Sequence, residues 1–527
     1  MLLGEEVMDR VCFRGLGGIG LAMLLAAPVL AQETQDSWVD AAIAQLDDQI
    51  RALMEETHVP GLAIAVVKNG ETIFERGYGV RNLETGESVT PETVFQLASM
   101  SKPIGASVIA SVIADGKVGW DTKVREIFPW FTLSDPWVSA NVTIGDLYSH
   151  RTGLPDHAGD DLEQFDYSQR EVFDALRYLP LGAFRASYAY TNYGMTLAAE
   201  AVATIAGEDW ADLSRDRLYI PLGMTSTSSR FDDFRKQPNH AVGHVWEEGH
   251  YVVGPERTKG GLSHWSSAYN TDRTSPAAGV SSSAVDLARW MAFMLADGRT
   301  EKLSIPAAAL TPMVTPKSMI SEAPDLRATG GYYGYGMFLS SPVPGHVVWS
   351  HGGAFSWGSA TAMTLIPDAN VGIVVLVNAT PNGVADAITA QFTDIVLAGN
   401  PTRDWWTIYK AGLAPVLEPQ GRLAKLQPPD PARPAQSPSA YAGRYENAYF
   451  GDLEVAPGEG DALLLKFGPE GQVQFTARHW DADTFVFEPF NDAQLLGSLS
   501  AVDFSGDRVT IEAYDDNGLG TFVRKSD

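Results

Sequence analysis

Two runs of mostly apolar residues near the N-terminal end of the chain flank an Asn-Gly pair. Gly61 to Val67 and Thr72 to Val80 lie on either side of Asn69-Gly70, a dipeptide that favours the tight turn of a β-hairpin. Ahead of them, apolar residues recur every three or four positions between Val39 and Met54, which predicts an amphipathic helix. The pattern therefore predicts a helix followed by a hairpin.

Short apolar runs return much later in the chain. Val347 to Ser350, Thr361 to Ile366 and Val371 to Val377 have the length and the β-branched content of strands, and a helical pattern runs from about Val384 to Leu397. The long region between the hairpin and these strands is mostly helical in pattern. We therefore predict an α+β fold, in which an antiparallel sheet is assembled from both chain ends, with helices on its faces and an inserted helical domain.

Three further segments complete this organisation. A polar insert between Ser228 and Pro276 contains its own hairpin pattern, Ala241 to Trp246 and His250 to Val253, and an insert of this size usually lines or covers a site. Residues 427–438 contain five prolines, which predicts a stiff linker. Short apolar runs separated by Gly, Asp and Asn then predict a small C-terminal β-barrel over residues 439–527.

The N-terminus has the features of an export signal. Arg10 and Arg14 precede an apolar run from Leu16 to Leu30, so we predict a signal peptide over residues 1–31 and a periplasmic or secreted mature protein. The catalytic domain would then span residues 32–426. An uncleaved anchor is the alternative, although the run is short for a membrane span. Acidic residues at the extreme N-terminus are unusual in a signal peptide, so translation starting at Met8 is a further alternative.

Composition excludes several classes of protein. The net charge of -27 and the pI near 4.7 argue against a nucleic-acid partner, which would need a basic face. The single cysteine, Cys12, lies in the predicted signal, so the mature chain would have neither a disulfide nor a cysteine-based metal site. A hairpin pattern does not present a helical metal-ligand pair, so no metal or other cofactor is predicted at the histidines of the insert, His240, His244 and His250.

Candidate chemistry begins at Ser99-Met100-Ser101-Lys102, which occurs where a loop-like stretch meets an apolar helix. Residues three apart share a helix face, so the amine of Lys102 can reach the hydroxyl of Ser99. A serine at a helix start also experiences the positive end of the helix dipole. This pair predicts acyl transfer through a covalent serine ester.

Two more motifs follow in order, Tyr190-Thr191-Asn192 and then His351-Gly352-Gly353 at the end of the first late strand. With Ser-x-x-Lys, they make the chain resemble the serine β-lactamase and penicillin-binding-protein superfamily. The chain is most similar to class C β-lactamase-like serine D-peptidases and family VIII carboxylesterases. Further family-like segments extend the resemblance over roughly residues 40–400: Leu147–Leu154, Pro221–Met224, Pro276–Val280 and Tyr333–Met337.

The resemblance implies a β-lactamase/transpeptidase-like sandwich and a role for each motif residue. Ser99 would be the nucleophile and Lys102, partly desolvated so that its pKa falls, its base, while Tyr190 would relay a proton to the leaving group and then activate the deacylating water. Asn192 would orient Lys102 and the acyl side chain. The remaining predicted substrate-binding residues are His351, Gly352, Gly353 and Ala354, and the oxyanion would be bound by the backbone N–H groups of Ser99 and Ala354.

Other residues in similar segments are given no catalytic role. His150 lies in a segment that resembles a structural loop of the family. The C-terminal domain is similar to the lipocalin-like barrels that are appended to some of these hydrolases, on the basis of Tyr441–Tyr445, and no catalytic group is predicted in it.

The sequence thus predicts a serine hydrolase of small esters or amides, of the carboxylesterase or serine D-peptidase type. In β-lactamases the third motif usually carries a lysine that holds the carboxylate of the antibiotic, whereas His351 is mostly neutral at neutral pH. A β-lactamase remains the alternative, and a catalytically silent ligand-binding envelope protein is an alternative of a different class. The exact ester, D-amino-acid peptide or β-lactam substrate and the oligomeric state remain open.

Overall fold

The computed structural model describes residues 20–254, 270–325, 328–489 and 497–526. The first part of the predicted signal peptide, including Cys12, and the middle of the polar insert lie outside these ranges. Among the described residues, no helix combines the length and the apolar character needed to cross a membrane.

The chain forms helices of very different length. The helices are, in chain order, α1 (Gly20–Thr57), α2 (Ser101–Ile113), α3 (Val124–Ile127), α4 (Pro136–Asn141), α5 (Ile144–Tyr148), α6 (Asp160–Gln164), α7 (Gln169–Ala175), α8 (Asn192–Ala206), α9 (Trp210–Ser214), α10 (Ile220–Leu222), α11 (Phe231–Lys236), α12 (Ser275–Ala278), α13 (Ala284–Leu295), α14 (Ala307–Leu310), α15 (Val384–Ala398), α16 (Trp405–Leu413) and α17 (Pro438–Tyr441).

The strands belong to two main structures and two small pairs. The first twelve are β1 (Gly61–Lys68), β2 (Glu71–Gly79), β3 (Phe95–Gln96), β4 (His244–Glu247), β5 (His250–Val253), β6 (Ser281–Ser282), β7 (Ser318–Ser321), β8 (Gly331–Tyr333), β9 (Phe338–Val343), β10 (His346–Phe355), β11 (Ser359–Ile366) and β12 (Val371–Val377). The C-terminal strands are β13 (Gly443–Asn447), β14 (Gly451–Pro457), β15 (Leu463–Phe467), β16 (Val473–Asp481), β17 (Thr484–Phe487), β18 (Ser500–Ser505), β19 (Arg508–Ile511) and β20 (Thr521–Arg524).

The catalytic region is built on one antiparallel sheet. Within the described ranges its eight strands are ordered β2-β1-β12-β11-β10-β9-β8-β7, so β1 from the start of the chain pairs with β12, as Ile64 opposite Val375 shows. The residues of β11 and β12 are all buried, because helices cover both faces of the sheet. This arrangement confirms the predicted α+β sandwich assembled from both chain ends.

Alternate residues of β1 serve two separate parts of the core. Leu62, Ile64 and Val66 pack with apolar residues of α1 and α15 on one face of the sheet. Ala63, Ala65 and Val67 face α13 and the helical domain, with residues such as Trp290. Because successive side chains of a strand point to opposite faces, the apolar run that predicted this strand also accounts for the two covering layers.

The predicted hairpin and the predicted first helix are both confirmed. Asn69 and Gly70 have φ angles of 53° and 83°, the left-handed conformations that a two-residue hairpin turn requires. The helix predicted between Val39 and Met54 forms part of α1, and the hairpin of the polar insert is β4 and β5.

The third motif differs from its prediction in one respect. The strand predicted to end at Ser350 continues to Phe355, so His351-Gly352-Gly353 lies within β10 and not at its end. The glycines do not end the strand, because residues 349–355 pair with 359–365 of β11 without interruption.

The C-terminal domain is a closed barrel, as predicted. In the described part, the eight strands β13 to β20 pair in sequence, and β20 closes the barrel against β13. The preceding proline-rich segment runs along the barrel, where Arg433 forms an ion pair with Asp481 at 2.6 Å. The predicted similarity to lipocalins stays a prediction.

The barrel packs directly on the catalytic region beside α6. The ring of Phe165 stacks on that of Phe467 with a centroid distance of 4.5 Å. The backbone N–H of Gly159 donates to the hydroxyl of Tyr449 at 3.0 Å, and the hydroxyl of Tyr167 donates to the Phe450 carbonyl at 2.9 Å. The barrel thus supports the segment that leads into α6.

Candidate active site

Ser99 lies in a tight turn that leads into α2. The turn is a 3-10 helix over Ala98–Met100, and Ala98 adopts a φ of 48°, a conformation that is unusual for a residue with a Cβ atom. The hydroxyl of Ser101 donates to the Ala98 carbonyl at 2.7 Å and accepts from Val280 N–H at 2.9 Å. Ser101 therefore holds the turn that presents Ser99.

Lys102 is a fully buried amine beside the nucleophile. Its Nζ is 3.0 Å from Ser99 Oγ, 2.7 Å from Asn192 Oδ1 and 3.0 Å from the Ala277 carbonyl oxygen. The side chain has no solvent-exposed surface. These contacts fix the amine within reach of the Ser99 proton, as the predicted spacing requires.

Tyr190 lies on the other side of Lys102. Lys102 Nζ is 4.4 Å from the centroid of the Tyr190 ring. Burial raises the pKa of Tyr190 well above its usual value, although a hydrogen bond with Ser99 opposes the shift. The phenol therefore keeps its proton in the resting site and can donate it to a leaving group.

A chain of polar contacts continues from Lys102 through Asn192 to residues that the sequence did not predict. Asn192 Nδ2 donates to Asp160 Oδ2 at 2.8 Å, and His157 Nδ1 is 2.9 Å from the same oxygen. Because Asp160 accepts from the amide nitrogen, it fixes the orientation in which the Asn192 oxygen faces Lys102. Asp160 stands in the first turn of α6, next to the segment that the barrel supports.

Gly353 brings β10 into close contact with the nucleophile turn. A Cβ atom at this position would lie 2.1 Å from the Leu97 carbonyl oxygen and 2.9 Å from Ser99 N. Thr361 on β11 donates to the same Leu97 carbonyl at 2.9 Å. Only glycine allows the strand to approach so closely, which is why this glycine lies within a strand and not at a turn.

The edge of β10 next to Gly353 is open. The described pairing between β9 and β10 ends at Phe338 opposite Ser350, so residues 351–355 have no strand partner on that side. Ala354, the predicted second oxyanion donor, lines the same cavity as Ser99. The structure places both predicted donors at one cavity, while their part in oxyanion binding stays a prediction.

His351 is a neutral, internally bonded histidine. It is 3% exposed, and its Nδ1 lies 2.6 Å from the Gly352 carbonyl oxygen. A carbonyl can only accept, so Nδ1 carries the proton and Nε2 accepts from the Tyr333 hydroxyl at 3.0 Å. Burial and the nearby Lys102 lower the pKa of His351 to about 3. The position offers no fixed positive charge at neutral pH.

The lowered pKa of His351 makes folding stability depend on pH. The unfolded chain takes up a proton at a histidine pKa of about 6.5, and the folded protein does not. The contribution of His351 to the free energy of unfolding is therefore fully present above a pH of about 6.5. It is lost as the pH decreases toward 3, by up to about 1.4 kcal/mol per pH unit. We expect urea unfolding to show a smaller loss between neutral pH and about pH 5 in His351→Gln than in the native protein. Equal losses would contradict this account.

His150 supports Tyr190 from behind. Its Nδ1 accepts from the Thr191 N–H at 3.1 Å, and its ring centroid is 4.5 Å from that of Tyr190. Burial lowers the pKa of His150 well below its usual value. The side chain thus holds the Tyr190-Thr191 backbone, in keeping with the structural reading given to it from the sequence.

The motifs meet at a cavity of about 610 Å³. Ser99, Tyr190 and residues 351–354 line it together with side chains of α15 and α16. His244 of the insert does not take part in a metal site, because its Nδ1 contacts the Asn378 carbonyl at 2.8 Å and its Nε2 accepts from Leu83 N–H. Ala277 lies in the segment Pro276–Val280, so the resemblance offered a signal for it. Asp160 and His157 lie in no motif that the sequence revealed.

Comparison with known proteins gives matches over both parts of the chain. A family model described as Beta-lactamase matches residues 46–398, and one described as Domain of unknown function (DUF3471) matches residues 427–510. Penicillin-binding protein 4 of Amycolatopsis lactamdurans is 30% identical over 363 residues, which cover 67% of this chain and 88% of that protein. Unguisins hydrolase ungD' of Aspergillus campestris is 26% identical over 435 residues, with coverages of 80% and 78%.

Two solved structures share the fold at 20% sequence identity. The octameric penicillin-binding protein homologue from Pyrococcus abyssi has a TM-score of 0.58 and covers 89% of this chain and 98% of its own. The class C beta-lactamase from Rhodobacter sphaeroides has a TM-score of 0.52, with coverages of 67% and 98%.

Proposed function

This chain belongs to the beta-lactamase family of serine hydrolases, and we propose that within that family it hydrolyses small esters or amides, as an esterase or a D-amino-acid peptidase, in preference to β-lactams. The observation that carries this choice is the state of His351, which is neutral and bonded on both ring nitrogens inside the protein. One relative is named unguisins hydrolase, which supports a hydrolytic reaction.

Acylation begins at Ser99. Lys102 acts in its uncharged amine form, which complete burial favours, and it takes the Ser99 proton across 3.0 Å. The serine oxygen then attacks the carbonyl carbon of the substrate, and the backbone N–H groups of Ser99 and Ala354 bind the oxygen that becomes negative. Asn192 keeps the amine in position, and Asp160 keeps Asn192 in position.

Collapse of the tetrahedral intermediate requires a proton on the leaving group. Tyr190 retains its phenolic proton and has a hydrogen bond with Ser99, so it can pass a proton to the departing oxygen or nitrogen and recover one through Lys102. In the second half-reaction the same pair draws a proton from the incoming water. Hydrolysis of the acyl-enzyme then restores Ser99.

A substrate panel tests the choice of substrate class. Purified protein is assayed with p-nitrophenyl esters of increasing acyl length, a D-amino-acid p-nitroanilide and a chromogenic cephalosporin. A charge-assisted hydrogen bond to the antibiotic carboxylate is missing, so we expect kcat/KM for the cephalosporin to lie at least about tenfold below that for a short ester. A cephalosporin hydrolysed faster than every ester and anilide would overturn the proposal.

We also propose that the protein acts outside the cytoplasm. The proposal rests on Arg10, Arg14 and the apolar run that follows them. Cleavage after Ala31 would shorten α1 at its N-terminal end and leave the packed residues from Val39 onward in place. Fractionation of an expressing host followed by N-terminal sequencing tests this proposal, and a protein found only in the cytoplasm with residues 1–31 retained would contradict it.

A further inference from the structure

One carboxyl group on the wall of the active-site cavity has no cationic partner in the described part of the chain. Asp386 lies in the first turn of α15, and its Oδ1 is 3.8 Å from the place that a Cβ atom would take at Gly352. Burial raises the pKa of Asp386 to about 6, and no neighbouring lysine, arginine or histidine offsets the shift. The site thus contains an acidic group that the proposed chemistry does not use.

Two aromatic rings of α16 line the same cavity as Asp386. They belong to Trp405 and Tyr409, whose ring centroids are 6.0 Å apart. Burial, together with the charge of Asp386, raises the pKa of Tyr409 to about 12. Aromatic faces attract cations, and the Trp405 ring already has the Arg403 guanidinium 5.4 Å from its centroid. The ring of Tyr409 adds to the preference of the carboxyl for a positive ligand.

A neighbouring acid, Asp394, does not compete for that ligand. Its Oδ2 accepts from Trp405 Nε1 at 2.7 Å and from Thr402 N–H at 2.8 Å. These hydrogen bonds stabilise the Asp394 carboxylate within the protein and fix the indole ring of Trp405. Asp386 is therefore the acid on this wall whose charge is left for a ligand.

The carboxyl lies within substrate reach of the nucleophile. Gly352, against which Asp386 packs, is the chain neighbour of Gly353, whose Cβ position would fall 2.9 Å from Ser99 N. Adjacent Cα atoms are only about 3.8 Å apart, and the cavity that contains Ser99 also contains Asp386, Trp405 and Tyr409. Gly352 and Gly353 present opposite faces of β10, so a substrate that contacts both groups extends around the open edge of this strand, within the cavity that both groups line.

The position of Asp386 near a helix start offers a competing explanation. An acidic residue in a first turn stabilises the helix dipole, and an exposed position would serve that purpose at a lower desolvation cost. Helix stabilisation alone does not account for a partly buried carboxyl that lines the catalytic cavity together with two aromatic residues. The two explanations differ in what Asp386→Asn does to substrate choice.

We propose that Asp386 and Tyr409, on the cavity wall that they share with Trp405, bind a protonated amine of the substrate, so that the preferred acyl donors carry an ammonium group. This inference rests on the proposed function, because the ammonium group is bound in the cavity that contains the Ser99 nucleophile. It narrows the substrate class to amino-substituted esters or amides.

Matched phosphonylating probes test the ammonium site without a choice of natural substrate. Fluorophosphonates in a short series of chain lengths are prepared in pairs that end in either a primary ammonium or a methyl group. The rate constant kinact/KI for labelling of Ser99 is measured by intact-mass spectrometry. We expect the best ammonium probe to react about tenfold faster than its methyl partner, the factor typical of one charge-assisted hydrogen bond.

Two substitutions distinguish binding at Asp386 from a general attraction of the ammonium probe to the negatively charged protein. Asp386→Asn should lose the preference for the ammonium probe within each pair, whereas Asp48→Asn, which removes an exposed charge of α1, should leave the preference unchanged. Asp386→Ser provides a second variant if the asparagine form does not fold. The comparison of the two probes on the native protein does not depend on either variant.

The outcomes distinguish this inference from the proposed function. If neither probe labels Ser99, the serine mechanism fails. If both probes of every pair label Ser99 equally, or if Asp386→Asn retains the preference, the mechanism stands and the ammonium site is wrong.

Discussion

Replacement of Ser99 by alanine is expected to abolish covalent labelling and to lower kcat by at least about 10³-fold. The hydroxyl that Lys102 contacts at 3.0 Å is the only part of the nucleophile that the substitution removes. The turn over Ala98–Met100 is held by Ser101 and not by Ser99, so the variant should fold normally. A fluorophosphonate probe followed by peptide mass spectrometry measures the labelled site, and p-nitrophenyl ester turnover measures kcat.

Ser350→Ala is the matched control for this experiment. Ser350 places a second hydroxyl on the wall of the same cavity, and its removal should leave labelling of the Ser99 peptide intact. Labelling of a peptide that contains a different serine would show that the reacting hydroxyl has been misidentified. Substantial turnover by Ser99→Ala would lead to the same conclusion.

Gly353→Ala is expected to lower kcat by about 10² to 10³, the loss that follows when an oxyanion donor is misplaced. The added Cβ atom would lie 2.1 Å from the Leu97 carbonyl oxygen and 2.6 Å from Thr361 Oγ1. A backbone carbonyl cannot rotate away as a side chain can, so either β10 or the Ser99 turn must move. Either movement changes the distance between Ser99 N and Ala354 N.

Gly352→Ala provides the comparison, because the two glycines are neighbours on opposite faces of β10. Its Cβ atom would meet its nearest neighbour, the Thr361 carbonyl oxygen, at 3.3 Å, a contact that a small adjustment relieves. We expect a much smaller loss of kcat for this variant, and a melting temperature closer to the native value than that of Gly353→Ala, whose contact is relieved only when backbone moves. If the two variants lose the same activity, the close approach at Gly353 does not matter for catalysis.

The sheet and the barrel could be predicted because their signals are local. The Asn69-Gly70 turn and the apolar runs of β1, β11 and β12 follow from short-range preferences, and the order of these elements along the chain indicated a sheet assembled from both chain ends. The strands β7, β8 and β9 of the same sheet were not predicted. The extent of β10 could not be obtained in this way. Gly353 is required by its close contact with Leu97, a residue far away in sequence.

The catalytic motifs were predictable for a different reason. Ser99 and Lys102 are one turn apart, so their contact follows from helix geometry, and the order of the later motifs carried the resemblance. Asp160 reaches Asn192 from another helix, and Asp386 reaches the cavity from the far side of β10. The spacing of residues along the chain does not predict such contacts, because they form only when distant segments pack together.

The pairing of β1 with β12 has a consequence for how the protein is made. In the β1–β12 pair, Lys68 lies opposite Val371. During synthesis β1 therefore has no β12 to pair with until nearly the whole catalytic region has been made. Pairings so distant in sequence form slowly, since a long loop must close first. Meanwhile the apolar residues of β1 and β2 are available for wrong contacts. A chaperone that shields this hairpin would therefore increase the yield of active enzyme more than one that acts on the barrel, whose strands pair in sequence.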